Sequence, residues 1–547
     1  MQTTLPDLDT SGITNKPEPF EDIGKFIKAV RNAEPGTLII LTNKSYKVNP
    51  KEHKIEDDDE DQDTYVLFKN VQGTPEKPII VMAQDIGQED EDKKVILEGR
   101  AGYKFKGCKF FTWCGFNHRH EASSDNNIFF QGGSDNRFSR CEVKLQDKGS
   151  KKKGERKSHW LQISNCKAMK VDHCFFHHKP SEGQFCNVKY RSDNKHGEGP
   201  LFEYNHFQHQ DYNEIVGDDN IGDAGGEGIQ MGDSALCRWY YRAIVRYNYF
   251  EECNGDGEMI TNKSSGNLYY NNSFMKTLGT MTLRHGDSTA FLGNYFEVCG
   301  LRVGGRGNLI ANNHFTKNSA KREQRLPLVI STGDFEQNPK EAFDDDMQGA
   351  HHERVVNNNI ILNTFANGDG TADSIVYWGR KEGPKMPTGN KFKGNIITAR
   401  NGKLLEIPEG VIINGKIKED GEEKEIKNEV SDNIGWPTGN AKKGDLTSEM
   451  ATTDKDPLLT EDSDGIYRLQ SGSPARNKFQ GMPFRELTSV DIDGEERGPN
   501  TDAGCDQFST ESKKPKKRIT PEDVGPKART DLGDSPDWDP EPVNPRE

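Results

Sequence analysis

The sequence predicts an all-β solenoid, a parallel β-helix with a short N-terminal capping helix, and three observations predict it. The first is a recurring phrase, FEYNHF, VRYNYF, YYNNSF, FLGNYF and IANNHF, whose final aromatics are Phe207, Phe250, Phe274, Phe296 and Phe315. The steps between them are 43, 24, 22 and 19 residues. Steps near 20 fit one coil of a β-helix, and the long step fits two coils or one coil with a loop. The second is composition: 55 glycines and many asparagines, often as Asn-Asn pairs, mark tight corners where left-handed backbone is tolerated. The third is the content of each repeat, a Phe or Ile to stack inward and an Asn able to ladder onto the Asn of the next coil. One repeat cannot bury its apolar face alone, whereas stacked repeats can. The steps are too short and too rich in β-formers for helix-pair repeats, and the regular leucines of a leucine-rich repeat are absent.

The elements follow in order along the 547 residues, a length a solenoid accommodates by adding coils. FEDIGKFIKAVRNA (20–33) reads as an amphipathic helix with Ile23, Phe26, Ile27 and Val30 on one face, placed to cover the first coil. PGTLIILTNKSYKV then gives a turn and the first pair of strands. Two acidic stretches, Glu56 to Asp63 and DIGQEDEDKK, read as solvated loops, and KLQDKGSKKKGERKSHW reads as a basic surface loop. VVNNNIILNTF, FKGNIITA, DNRFSRC and VDHCFF extend the repeat. The expected organisation is an N-terminal segment with the capping helix (1–35), a β-helix domain (36–505) whose coils turn irregular after about residue 410, and a charged, Pro-rich extension (506–547) lying extended on the surface or disordered.

A net charge of −15 argues against nucleic acid as a partner of the whole molecule. No apolar run reaches the roughly 18 residues needed to span a membrane. MQTTLPDLDTSGI has neither a basic n-region nor an apolar core, so the expectation of a secreted or periplasmic protein places the leader outside this sequence. The ten cysteines show no CxxC and mostly sit in apolar-polar alternation, as core-facing thiols with one or two disulfides allowed. Covering of both solenoid ends by the chain's own segments makes a monomer the expected state.

The densest chemistry lies in NGDGEMITNKSSGNLYYNNSFMKTLGTMTLRHGD (254–287). Lys263 and Arg284 are 21 residues apart, one coil, so adjacent strands about 4.8 Å apart put them on one face. Asp256 and Glu258 differ by two and share a face of one strand. Two carboxylates beside two cations suit cleavage of a 4-linked uronic acid, an anionic polysaccharide. The charge growing on C6 as the C5 proton leaves must be neutralised by a metal or cationic donors, and a base must take that proton. Lys263 is the candidate base, its pKa lowered by neighbouring positive charge; Arg284 stays charged and can fork onto a carboxylate or stand at the leaving oxygen. Asp256 and Glu258 can hold a hard cation such as calcium. The same four residues also suit a surface salt-bridge ladder, and paired carboxylates suit a glycosidase. Arg302, Arg306, Lys317, Lys321, Arg322 and Arg325 form a basic patch with a single acid, Glu323, fit for a polyanion. Tyr377 and Trp378 are open to stacking on sugar or to packing in the core.

NKSSGNLYYNNSF followed by GTMTLRHGD resembles the signature of the family-6 polysaccharide lyases, the chondroitinase B and alginate lyase group, on Asn262-Lys263-Ser264 and Leu283-Arg284-His285-Gly286 with the Lys-to-Arg spacing kept. Weaker similarity runs from PGTLIIL to DIDGEERGPNTDAG and ITPEDVGP, most of the chain. The resemblance implies a right-handed, single-stranded parallel β-helix, Lys263 as Brønsted base, Arg284 as acid, and Asp256 and Glu258 among the ligands of a calcium ion that neutralises the substrate carboxylate. The family's upstream Asn ligand falls on Ala224 in DNIGDAGGEGIQMG, leaving Asp223 and Glu227 as the carboxylates able to replace it. Substrate contacts are implied for His178 and Lys179 in VDHCFFHHK, for Arg302 and Arg306 in GLRVGGRGN, and for His285; His206 and His314 are implied corner residues. The wording is closer to the alginate lyases, of polymannuronate or mixed blocks; the alternatives are a dermatan sulfate lyase of the same mechanism and a non-catalytic β-helix that binds acidic polysaccharide.

Overall fold

In the computed structural model, the described residues are 8–56, 58, 60–123, 125–149, 157–190, 199–210, 225–234, 237, 239–318, 326–333, 356, 358–368, 372–379, 385–419, 421–480, 485–509, 518–534 and 536–537. Their strands form three large parallel sheets of 13, 14 and 13 strands, and every third strand along the chain returns to the same sheet up to the irregular last coils. This is a right-handed parallel β-helix. The helix Ile23–Arg31 precedes the first coil; Asp22 caps it by accepting a hydrogen bond from the Lys25 amide at 2.8 Å. Its buried face is Phe26, Ile27 and Val30, and the Phe26 ring stands edge-on to Trp113 and Phe116 at 6.2 and 6.1 Å. The expected Ile23 is only half-buried.

The chain divides into two compact units, Met1–Gly232 with Tyr241–Met259 and Ile519–Gly533, and Asp233–Tyr240 with Ile260–Arg518 and Asp534–Glu547. In the first, Phe176, Phe207 and Phe250 stack in register on the second sheet, with ring centroids 5.2 and 4.7 Å apart. In the second, Phe274, Phe296 and Phe315 do the same at 4.7 and 4.4 Å. All are fully buried, so the recurring phrase is the aromatic spine of each core.

The Asn-Asn pairs have a two-part geometry. The first residue takes left-handed backbone, as Asn271 (φ 49°), Asn312 (φ 57°) and Asn358 (φ 56°) do, and the second is buried and ladders to the next coil. Asn308, Asn359, Asn390 and Asn428 form one such ladder. The Oδ1 of each accepts both the backbone N–H and the side-chain Nδ2–H of the one before, at 2.8–3.0 Å. Asn359→Ala removes the acceptor for two buried donors of Asn308 and the donor to the Gly305 carbonyl. The expected loss is about 2–4 kcal/mol of stability, read as a lower urea midpoint.

All ten cysteines are buried free thiols, which corrects the allowance for disulfides. Burial also keeps histidines neutral: it pushes His120 and His206 down to about 4 and His159 and His314 to about 3, with His118 well below its usual value. A histidine with a depressed folded pKa binds its proton more readily when unfolded. Stability from these rings is therefore complete above the ordinary value near 6.5 and falls as pH drops toward 4, by up to about 1.4 kcal/mol per ring per pH unit. Asp493 and Asp506, lifted by burial to about 7 and about 6, act in the opposite sense over the same window. The histidines outnumber them, so the urea midpoint is expected to hold between pH 8 and 7 and to fall from pH 6.5 to 4.5.

Part of the C-terminal extension is ordered. Ile519–Gly533, with a 3-10 turn at Pro521–Asp523, packs into the first unit, where Arg140 donates to the Pro526 and Ala528 carbonyls at 2.9 Å each and the Gly525 amide donates to the Tyr204 carbonyl at 2.8 Å. Val524 and Ala528 are buried there. Docking of this kind was not readable from a Pro- and charge-rich composition, because its partners are backbone carbonyls and a distant arginine.

Candidate active site

In the first unit, three carboxylates meet: Glu227, Asp256 and Glu258, only 4%, 5% and 7% exposed. Two glycines make the approach possible. A Cβ on Gly226 would stand 2.4 Å from the Gly255 carbonyl oxygen, and one on Gly255 would stand 2.3 Å from that of Gly226. Any side chain at either position would push the Glu227 segment off the Asp256 segment. The Asp256 carboxylate accepts from the Gly225 amide at 2.6 Å and from the Glu258 amide at 3.3 Å, and Gln184 donates to Glu227. Burial, then the charges of Glu227 and Glu258, push the Asp256 carboxyl up to about 7. Three buried oxygen-donor groups that repel one another are a donor set that fits a hard divalent cation. Asp223 and Ala224 lie outside the described residues.

In the second unit, Lys263 ends the strand Glu258–Lys263 and Arg284 sits in the strand Thr280–His285, neighbours in the third sheet. Both strands are otherwise buried, and both cations are half-buried at their ends. Asn262 fixes the place of Lys263. Its Nδ2 donates to the Ser264 carbonyl at 2.9 Å and to the His285 carbonyl at 3.4 Å, while its Oδ1 accepts from Asn267 at 2.7 Å and from the Tyr269 hydroxyl at 2.9 Å. Gly286 fixes the place of Arg284: it has φ +92°, and a Cβ there would stand 2.4 Å from the Ser264 carbonyl oxygen. The Asn-Lys-Ser and Arg-His-Gly phrases are thus two halves of one corner.

The register Thr282–Arg302–Val329–Tyr377 runs across the third sheet. Arg284, two residues beyond Thr282, shares that face, so the sheet gathers Arg284, Arg302 and Tyr377 on one side. Tyr377 is 8% exposed and packed with Leu326 and Val329, and Trp378 is fully buried, so the core reading of these aromatics is the one their packing favours. Arg306 is locked to Asp287, with Nη2 to Oδ2 at 2.8 Å and its own amide to Oδ1 at 3.0 Å. His285 is buried. His178 and Lys179 lie on the second sheet, apart from the sheet of Lys263. Lys179 is fully buried, its ammonium donating to Ser181 and to the Glu182 carbonyl at 2.6–3.0 Å, which suits a corner anchor rather than a contact with polymer. Lys321, Arg322 and Arg325 of the basic patch lie outside the described residues.

A further acidic cluster escaped the sequence reading. Among the described residues, Asp491, Asp493 and Asp506 place three carboxylate oxygens within 4.8 Å of one another and could hold a divalent cation. Arg468 already reaches into it, at 3.1 Å from both Asp506 Oδ1 and Asp493 Oδ1. The signal was DIDGEERG with AGCD following, two acidic turns 15 residues apart that only the fold brings together.

Comparison with solved structures gives the same fold. The chain is similar to the family-6 alginate lyase AlyGC, with TM-score 0.61 and 20% identity over 81% of this chain and 54% of that one. This chain therefore spans about half the length of that enzyme. It is also similar to a mannuronic acid specific family-6 lyase from human gut microbiota, with TM-score 0.59 and 21% identity over 77% and 86%. A third similar structure is a family-6 polysaccharide lyase from Pseudopedobacter saltans, with TM-score 0.56 and 16% identity over 81% and 100%. No curated protein sequence matches the chain. Residues 25–372, well over half of the sequence and including both halves of the Lys263–Arg284 corner, match the family described as Chondroitinase B. The chain belongs to the chondroitinase B family.

Proposed function

We propose that this protein is a polysaccharide lyase that cleaves a 4-linked uronic acid polymer by β-elimination. The observation that carries the reading is the Lys263–Arg284 corner, two half-buried cations at the ends of neighbouring buried strands, each held by a residue with no slack, Asn262 or Gly286. Lys263 takes the C5 proton in its neutral form. The C5–H electron pair becomes the C4–C5 double bond as the C4–O4 bond breaks. The departing O4 takes its proton from water, while Arg284, charged throughout, stabilises it or the substrate carboxylate. Arg302 on the same face adds positive charge for the polymer. Glu227, Asp256 and Glu258 are the residues that would hold calcium, an ion whose chemistry is to neutralise a carboxylate. The preferred substrate is alginate, in polymannuronate or mixed blocks, supported by likeness to an alginate lyase and to a mannuronic acid specific lyase. Dermatan sulfate is the second reading, supported by the description of the matching family. Either polymer is extracellular, so the protein acts outside the cytoplasm.

The test is ultraviolet absorbance of the new C4–C5 double bond after incubation with polymannuronate, polyguluronate or dermatan sulfate, each with calcium or chelator. Absorbance rising on an alginate block is the expected result, and a rise on dermatan sulfate alone selects the second reading. Reducing ends without absorbance would mean hydrolysis. Silence on all three would overturn the proposal.

A further inference from the structure

Two neighbouring coils of the second sheet bring three imidazoles to one corner of the first unit. In an ordinary strand His177 and His178 would point to opposite faces. His178 instead takes left-handed backbone, φ 58°, and its Nδ1 stands 2.8 Å from the Nδ1 of His177. The next coil repeats the device. Gln208 pairs with His177 and Gln210 with Lys179, so His209 between them sits beside His178. His209 has φ 51°, and its ring centroid is 4.8 Å from that of His178. A carboxylate stands at each end of the group. Glu252, one coil further on, meets His209 Nδ1 at 2.7 Å, and Glu142 faces His177 Nε2 at 3.5 Å. Phe175 stacks on His177 with ring centroids 4.0 Å apart and holds that ring in place. A carboxylate favours the ring proton on the nitrogen beside it. His209 Nδ1 and His177 Nε2 therefore carry the protons, and His209 Nε2 and His177 Nδ1 keep their lone pairs.

We propose that His177, His178 and His209 form a binding site for a divalent transition ion of the zinc class, distinct from the carboxylate groups that suit a hard cation. Imidazole nitrogen is a ligand for such ions, whereas calcium takes oxygen. Two nitrogens held on one ion by bonds of about 2.0–2.1 Å stand about 3 Å apart. The 2.8 Å between His177 and His178 is already close to that bite. A histidine ligand ordinarily gives its other ring N–H to a carboxylate, which is the part that Glu142 and Glu252 are placed to play. His177, buried, is the fixed ligand, and the exposed His178 and half-buried His209 are the way in. When the ion takes His178 Nδ1, the proton there leaves to water and Nε2 of the same ring takes one up, so the ring stays neutral. The three rings do not share one centre as they stand, and the third bond comes from a turn of His209, whose side chain is 33% exposed. Water completes the shell. The ion then staples one coil to the next at a corner where both backbones are left-handed.

The test is calorimetric titration of zinc alone into the full chain, with millimolar calcium present to fill the oxygen sites. A single zinc ion is expected to bind with a Kd of about 10⁻⁶ M or tighter. His178→Asn and His209→Asn, which supply a residue tolerant of left-handed backbone, are each expected to weaken it about 10-fold or more, and Glu252→Gln about 10-fold. Circular dichroism should stay at parental values in all three. Cobalt(II) in place of zinc reads the ligands directly: the visible absorption of a nitrogen-bound ion is expected in the parent and lost in both Asn variants. Unchanged zinc affinity in any of the three variants overturns the proposal. So does a parent that binds no zinc below millimolar concentration, or a cobalt spectrum that survives in either Asn variant. None of these outcomes depends on the polyuronate reading or on turnover.

Discussion

Lys263→Ala is expected to lower turnover of the preferred polyuronate by about 10²- to 10⁴-fold, the usual worth of a positioned general base. The fold should survive. Lys263 is half-buried at a strand end, and Asn262, Asn267 and Tyr269 hold the corner through hydrogen bonds among themselves. Thermal midpoint and circular dichroism are expected to stay at parental values while absorbance at the unsaturated product collapses. Arg284→Ala should fall in the same range, and the double variant little further, because base and partner act on one transition state. Turnover within a few-fold of the parent in Lys263→Ala would remove the lysine from the chemistry and return the corner to a salt-bridge ladder.

Arg468→Met is expected to cost about 3–5 kcal/mol of stability with turnover retained. Arg468 is 16% exposed and faces three carboxylates: Asp462 at 2.9 Å, Asp506 at 3.1 Å, and Asp493 through both guanidinium nitrogens. A fourth, Asp491, is occupied by the Asp493, Glu495 and Gln507 amides at 2.8–2.9 Å. Without the Arg468 guanidinium, Asp462 and Asp493 lose their paired charge, while Asp491 and Asp506 keep the buried Arg497 as a positive neighbour. The loss depends on pH with a definite sign. Burial already lifts Asp493 to about 7 and Asp506 to about 6, above the ordinary carboxyl value, so the folded state takes up protons more readily than the unfolded one in that window. Stability from these groups therefore rises as pH falls, and more so in the variant, where less positive charge neutralises them. The deficit should be larger at pH 8 than at pH 5.5. Because Asp491, Asp493 and Asp506 can together hold a divalent cation, millimolar calcium should recover part of it in the variant and change the parent little. A urea midpoint equal to the parent's at both pH values would show that the cluster is neutralised by solvent.

The sequence by itself determined the solenoid and the placing of Lys263 and Arg284 on neighbouring strands. Phe207, Phe250, Phe274, Phe296 and Phe315 announced the coil because a stacked repeat must bury the same face each time, and that constraint is local and periodic. Asn262-Lys263 and Arg284-His285-Gly286 were legible for a related reason. One coil of about 21 residues converts a sequence spacing into a neighbouring strand position, so two short phrases suffice to place two cations on adjacent strands. The Asn-Asn pairs were read for both corner and ladder; which residue of each pair does which, the first the left-handed corner and the second the ladder, came from the structure.

Only the tertiary structure decided what the loops and the last coils do. Asp58 and Glu60 looked like any solvated acids until Lys69, Lys104 and Lys106 proved to pair with them. Ile519–Gly533 looked unstructured until Arg140 and Tyr204 received it. Lys179 and Tyr377 were matched by type to a sugar-binding role, yet one is buried at a corner and the other is packed on Leu326 and Val329. Each of these depends on partners tens to hundreds of residues away, joined by no period. A repeat fixes which residues stack, but charge pairing and burial at irregular segments are set by three-dimensional proximity, and a linear pattern carries no record of it.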